Sequence, residues 1–101
     1  MKILLVCNLG MSTSMLVQRM EKAAKAQNID AQIQAVPVTT AEKMIHEWDI
    51  VLLGPQVRHQ LKSIEQKSNG TPVAVIDMRD YGLMNGENVL KSAIKIIESN
   101  K

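Results

Sequence analysis

The chain has 101 residues, a formal net charge of +2 and a hydrophobic fraction of 46%. This length predicts a single domain, residues 1–101, with enough apolar side chains to form a core without covalent cross-links. The only cysteine excludes an internal disulfide, and no cysteine and histidine residues have metal-site spacing, so neither a metal nor another cofactor is expected. The 12 basic and 10 acidic residues are spread along the chain, which argues against binding to nucleic acid.

The length of the apolar runs bears on the location of the protein. These runs reach about five residues, whereas a membrane-spanning helix needs roughly 20. The N-terminal Met-Lys leads directly into an apolar run and lacks the pattern of a cleaved signal peptide. We therefore expect a soluble protein of the cytoplasm.

The first segment combines an apolar strand with the only cysteine. Residues 3–6 read ILLV, which predicts a strand that is buried on both faces, and Cys7 follows at once. A helix is predicted from Ser14 to about Asn28, because its apolar residues recur at helical spacing. Backbone N–H groups and the dipole at such a helix start attract oxyanions. The residues between strand and helix are therefore the candidate anion-binding loop: Asn8, Leu9, Gly10, Met11, Ser12, Thr13 and Ser14.

The rest of the chain alternates between predicted strands and helices. Strands are expected at residues 31–36, 50–53 and 72–76. A capping box from Thr39 to Glu42 predicts a helix that continues to about Glu47. Further helices are predicted at residues 57–67 and 86–99, with a loop at residues 78–85.

This alternation predicts an α/β fold with a four-stranded parallel sheet. The simplest doubly wound, three-layer arrangement has the strand order 2-1-3-4, with the cysteine loop, similar to a P-loop, after strand 1. Ligands of such sheets bind beyond the carboxyl ends of the strands, where the strand order reverses, and Cys7 lies at that point. Residues near the other strand ends are expected to form the walls of the site: Gly54, Pro55, Gln56, Asp77 and Tyr81. For Asp77, contact with the site and capping of a turn both remain open.

Three stretches give the chain a specific resemblance: ILLVCNLGMSTSMLV, VLLGPQV and VIDMRDYGLMNGENVLKSAI. It resembles the enzyme IIB component of the lactose/cellobiose (chitobiose) class of the bacterial phosphoenolpyruvate-dependent sugar phosphotransferase system. The resemblance covers nearly the whole length, and the GMSTS segment is its most specific part. The family commonly has Cys-Ser-Ala or Cys-Ala-Ala before the glycine, whereas Asn8 and Leu9 stand here.

The resemblance implies a phosphotransferase activity. Cys7 would accept a phosphoryl group from a phosphohistidine of a IIA protein and pass it to a β-linked disaccharide bound by the membrane permease IIC. Asn8 to Ser14 would then form the phosphate loop, and the activated donor makes a metal or nucleotide unnecessary. The protein would be monomeric alone and would associate transiently with the inner face of the membrane through IIC.

Two other classes of protein would also explain a single cysteine at this position. Low-molecular-weight tyrosine phosphatases and arsenate reductases share the order of strand, cysteine, loop and helix, but they place an arginine six residues after the cysteine. Thr13 occupies that position here, so the bidentate phosphate clamp is missing. A binding module regulated by oxidation of Cys7 is the other alternative, although the chain has no second cysteine to resolve the oxidised form.

Overall fold

The structure is a computed structural model that describes residues 1–7 and 11–100, without the side chains of residues 11 and 12. Its strands are β1 (Lys2–Cys7), β2 (Gln32–Pro37), β3 (Ile50–Leu53) and β4 (Val73–Val75). Its α-helices are α1 (Met11–Ala26), α2 (Val38–Ala41), α3 (Leu61–Ser68), α4 (Met78–Gly82) and α5 (Gly86–Ser99). Two 3₁₀ helices span Ile45–Glu47 and Pro55–Gln60. Within these described ranges, no helix is both long enough and apolar enough to cross a bilayer.

The four strands form one parallel sheet in the order β2-β1-β3-β4, which confirms the predicted fold class and strand order. β1 lies inside the sheet, where Leu5 pairs with Ala35 of β2 on one side and with Leu52 of β3 on the other. Residues 3–6 are fully buried, as expected for a strand that is covered on both faces. The interior position of β1 fixes its carboxyl end, and therefore Cys7, near the middle of one edge of the sheet.

Helices cover both faces of the sheet and form two separate cores. On one face, α1 and α5 pack against the side chains of β1 and β3 that include Leu5 and Leu52. On the other face, α2, α3 and the 3₁₀ helices pack against side chains that include Leu4 and Val51. Because neighbouring side chains of a strand point to opposite faces, each buried strand contributes to both cores.

The segment after β2 differs from its sequence prediction. α2 begins at Val38 directly after Pro37, whose extended backbone precedes the helix, and Thr39 lies within the helix without acting as its cap. The helix ends at Ala41, and a 3₁₀ helix containing Ile45 follows after a turn. Ala41 and Ile45 are almost completely buried, so their packing against the sheet, and not the capping-box pattern, decides where this segment bends.

Two further boundaries differ from the predictions. The segment after β3 begins as a 3₁₀ helix at Pro55 and becomes α-helical only at Leu61, because the backbone of Val57 is not helical. The predicted loop at residues 78–85 contains α4. The side chain of Asp77 caps this helix by accepting hydrogen bonds from the backbone N–H groups of Arg79 and Asp80, at 2.8 and 3.2 Å.

α1 and α5 lie very close to each other at Gly86, the first residue of α5. A Cβ atom at this position would lie 2.5 Å from the carbonyl carbon of Arg19 and 2.6 Å from the backbone nitrogen of Met20. Both of these atoms belong to the backbone of α1 and cannot rotate away. The glycine therefore allows α5 to begin directly against α1.

Replacement of Gly86 by alanine should lower the free energy of unfolding by about 1–3 kcal/mol, because the two helices must separate to accept the methyl group. Urea unfolding of the variant and the wild type measures this loss. Gly82→Ala is the matched control, since no atom lies within 4 Å of its added Cβ and alanine is the better helix former. Equal stability of the two variants would contradict the close approach at Gly86.

Candidate active site

Cys7 is the last residue of β1 and pairs in register with Pro37 at the end of β2. Its thiol is free, and 8% of the residue is exposed to solvent. The adjacent strand β3 ends at Leu53, which makes the last pairing with β1, at Val6, one residue before Cys7. The structure therefore places the cysteine at the carboxyl edge of the sheet, where the strand order reverses, as the sequence predicts.

Three residues separate Cys7 from Met11, the first residue of α1. α1 starts at Met11 and not at Ser14, so four of the predicted loop residues (Met11, Ser12, Thr13 and Ser14) form the first turn of the helix. The other three, Asn8, Leu9 and Gly10, lie outside the described residues. The first turn contains no acidic residue, so no side chain there opposes the positive end of the helix dipole.

A buried hydrogen bond ties the first turn of α1 to α4. The hydroxyl groups of Thr13 and Tyr81 lie 3.0 Å apart, and the two residues are 1% and 8% exposed. Each hydroxyl can donate or accept, so the pair satisfies two polar groups that would otherwise be buried without a partner. Thr13 is therefore held by a residue 68 positions later in the chain.

Asp77 supports the hydrogen bond between Thr13 and Tyr81 by stabilising α4. Its carboxylate caps α4, and its backbone carbonyl accepts a hydrogen bond from the N–H of Tyr81 at 2.9 Å. Of the two roles that the sequence left open for Asp77, the structure shows capping. The cap fixes the short helix directly after β4, and this in turn determines where the ring of Tyr81 lies.

Gly54, Pro55 and Gln56 follow the end of β3. The backbone N–H of Gly54 donates to the carbonyl oxygen of Val6 at 2.9 Å, so this turn is attached to the peptide unit just before Cys7. A Cβ atom added to Gly54 would lie 2.8 Å from Oε1 of Gln56, 3.5 Å from the oxygen of Val6 and 3.8 Å from Cε2 of Tyr81. Gly54 therefore lies where its own turn meets the end of β1 and the ring of Tyr81 from α4.

The sequence predicted several residues that lie at this edge of the sheet, but it did not predict the hydrogen bond between Thr13 and Tyr81 or the helix α4. The hydrogen bond between Thr13 and Tyr81 has no local sequence signal, because it joins distant segments. α4 does have one, since Asp77 is followed by Asp80 at the third helical position, as is common at helix starts. Ser14 and Gln56 are both exposed.

The fold and this edge define a class of protein: a small, doubly wound α/β protein with a cysteine at the switch point and a helix N-terminus beside it. Residues 2–92 match the family model described as "PTS system, Lactose/Cellobiose specific IIB subunit". The chain belongs to this family. IIB components of the phosphotransferase system act as phosphotransferases in sugar transport and work with IIA and IIC partners.

Curated relatives agree with this assignment. The chain is 40% identical over 98 residues to the galactose-specific EIIB component of Lactococcus lactis subsp. cremoris and to the cellobiose-specific EIIB component of Lactococcus lactis subsp. lactis. Each of these matches covers 90% of this chain and 91% of the relative. The oligo-beta-mannoside-specific EIIB component of Bacillus subtilis is 35% identical, and the match covers 95% of both chains.

Solved structures with the same fold include two IIB proteins. The cellobiose-specific phosphotransferase IIB component of Borrelia burgdorferi has a TM-score of 0.84 and 48% identity, with 100% of this chain and 94% of that chain covered. The lactose-specific IIB domain of Streptococcus pneumoniae has a TM-score of 0.85 at 14% identity, with 94% and 95% covered. The second likeness shows that the fold persists when most residues differ.

Tyr81→Phe should lower the free energy of unfolding by about 1–2 kcal/mol, because the buried hydroxyl of Thr13 loses its partner. A double-mutant cycle with Thr13→Val, measured by urea unfolding, isolates this contribution. Once Thr13 has been replaced by valine, loss of the Tyr81 hydroxyl should cost much less. Fully additive effects of the two substitutions would show that the two hydroxyls do not stabilise each other.

Proposed function

We propose that this chain is a phosphoryl carrier with Cys7 as its acceptor. In this proposal the donor is the phosphohistidine of a IIA protein, and the acceptor is a β-linked disaccharide of the cellobiose or chitobiose type, bound by a membrane IIC permease. The observation that carries the proposal is the position of the only cysteine at the carboxyl end of the interior strand β1, with three residues between it and the first residue of α1.

The proposed reaction consists of two displacements at phosphorus. In the first, the sulfur of Cys7 attacks the phosphoryl group, the S–P bond forms and the P–N bond to the donor histidine breaks. The electron pair of the broken bond stays on the imidazole nitrogen, which takes up the proton lost from the thiol. In the second, a sugar hydroxyl attacks phosphorus, an O–P bond forms and the S–P bond breaks. The electron pair of the broken bond stays on the sulfur, which takes up the proton lost from the hydroxyl and becomes a thiol again.

The chain's own contribution to both steps is positioning and stabilisation of negative charge. The phosphoryl oxygens carry charge that hydrogen-bond donors and a helix dipole can balance. In the proposal, residues 8–14 supply these donors, and the hydrogen bond between the hydroxyl groups of Thr13 and Tyr81 keeps Thr13 in place near the end of that segment. Gly54, Pro55, Gln56, Asp77 and Tyr81 form the surrounding walls, with Asp77 acting through the cap of α4.

The partners and the location follow from this role. We propose a cytoplasmic carrier that is a monomer alone and meets the inner face of the membrane transiently through IIC. The sugar specificities in the names of its relatives, cellobiose, galactose and oligo-beta-mannoside, support a carbohydrate acceptor and are consistent with a β-linked sugar. The choice of sugar is assigned to the permease, because the carrier presents a phosphoryl group and does not hold the sugar.

Cys7→Ser should abolish acceptance of phosphate, because a serine hydroxyl is a much weaker nucleophile than a thiolate. The test incubates the protein with phosphoenolpyruvate and the upstream phosphotransferase proteins and locates the modification by mass spectrometry. A double variant, His46→Gln with His59→Gln, is the control, since both histidines are exposed and should not be needed. Phosphate on either histidine of Cys7→Ser, with sugar transport intact, would overturn the assignment.

The phosphorylated protein should release little inorganic phosphate until a sugar-loaded permease is added. Cysteine phosphatases hold the phosphoryl oxygens with an arginine, whereas Thr13 stands at that position and its hydroxyl is bonded to Tyr81. Phosphorus-31 NMR of the purified protein follows the lifetime, and aryl phosphates test for hydrolysis. Rapid phosphate release by the wild type alone, absent in Cys7→Ser, would favour the phosphatase alternative.

A further inference from the structure

The requirement for glycine at position 54 is one of space and not of backbone conformation. Its φ and ψ angles of −63° and 152° are available to every amino acid. Its backbone N–H donates to Val6, which any residue other than proline could do. The only close contact that a Cβ atom would make is with Oε1 of Gln56, at 2.8 Å. The missing side chain therefore leaves room for the carboxamide of Gln56.

The position of this carboxamide is unusual for an exposed side chain. Gln56 is exposed to solvent, yet the end of its side chain folds back over Gly54. The turn beneath it is bonded through the N–H of Gly54 to the peptide unit that precedes Cys7, and the same added Cβ atom would lie 3.8 Å from the ring of Tyr81. The carboxamide thus belongs to the turn that leaves β3 beside the end of β1, at the carboxyl edge where doubly wound sheets bind ligands.

We propose that Gln56 contacts the phosphoryl group on Cys7 and donates a hydrogen bond to one of its oxygens. This inference rests on the proposed function and adds a residue to it. A carboxamide has two N–H donors and one acceptor oxygen, and rotation about its last bond exchanges them, so it can turn its donors towards an anion. It carries no charge and therefore holds a phosphoryl group less firmly than arginine does, which suits a group that must leave again.

Two variants of Gln56 and one of Gly54 test the proposal. In Gln56→Ala, the first-order rate constant for phosphorylation of Cys7 at saturating IIA donor should fall about tenfold, the effect of losing one hydrogen bond to a charged group. In Gln56→Glu, the rate constant should fall further, because the new carboxylate repels the phosphoryl oxygens. Gly54→Ala should also slow the reaction, since its Cβ displaces the carboxamide, while the protein stays folded because only a flexible side-chain end must move.

A double-mutant cycle separates this role from a general effect on structure. If Gly54→Ala acts by moving Gln56, it should have almost no further effect once Gln56 is alanine. Gln66→Glu is the matched control, because it makes the same charge change at another exposed glutamine, on α3. It should react like the wild type. Nitrogen-15 NMR adds a readout independent of rate: the side-chain amide signals of Gln56 should shift on phosphorylation, and those of Gln66 should not.

The outcomes distinguish this proposal from the function on which it rests. Wild-type protein that accepts no phosphate on Cys7 would overturn both. Wild-type protein that is phosphorylated while the Gln56 variants react equally fast would overturn the role of Gln56 alone. The Gln56 variants could also react more slowly than the wild type at low donor concentration but equally fast at saturating donor. That result would make Gln56 a contact for the partner protein and would also contradict the proposal. Additive effects of Gly54→Ala and Gln56→Ala would likewise contradict it.

Discussion

The pairing of β1 with strands on both sides constrains the rest of the site. Its backbone is hydrogen-bonded to β2 from Lys2 to Cys7 and to β3 from Ile3 to Val6, and its side chains are buried on both faces of the sheet. The bond from the N–H of Gly54 to Val6 continues this attachment beyond the last strand residue of β3. Since parallel strands end at the same edge, this pairing determines which turns surround Cys7.

The side of the site away from the strands is fixed by a second set of contacts. Asp77 caps α4, α4 positions Tyr81, and the hydroxyl of Tyr81 holds Thr13 in the first turn of α1. The segment after Cys7 is thus anchored by a strand at its beginning and by a buried hydrogen bond at its end. In the proposed carrier, this hydrogen bond keeps Thr13 in place whether or not a phosphoryl group is bound.

The sheet could be predicted from the sequence because its signals are local. Apolar runs such as residues 3–6 and 50–53 indicate buried strands, and short connections between strands and helices limit the topology to a few arrangements. The same signals placed Cys7 and Gly54 at the carboxyl edge of the predicted sheet. The Thr39–Glu42 pattern failed because burial of Ala41 and Ile45 determines the course of that segment. Tertiary packing overrode a local preference there.

Individual side-chain contacts could not be predicted in the same way. The pairing of Thr13 with Tyr81 joins distant segments and depends on where α4 lies, whereas the approach of Gln56 to Gly54 lies within one turn and depends on a side-chain rotamer. Neither contact leaves a periodic pattern in the sequence. The first becomes visible only when the sheet has placed the segments after β1 and β4 beside one another.

The most direct test of this account compares backbone amide NMR spectra of the protein before and after phosphorylation of Cys7. If the phosphoryl group is held at the N-terminus of α1, the largest shifts should occur at residues 8–16, with smaller ones near Gly54 and Asp77. Shifts of this kind would show that the edge described here receives the anion. Largest shifts in α5, between Val89 and Ile97, would contradict the account, because that helix packs on one face of the sheet.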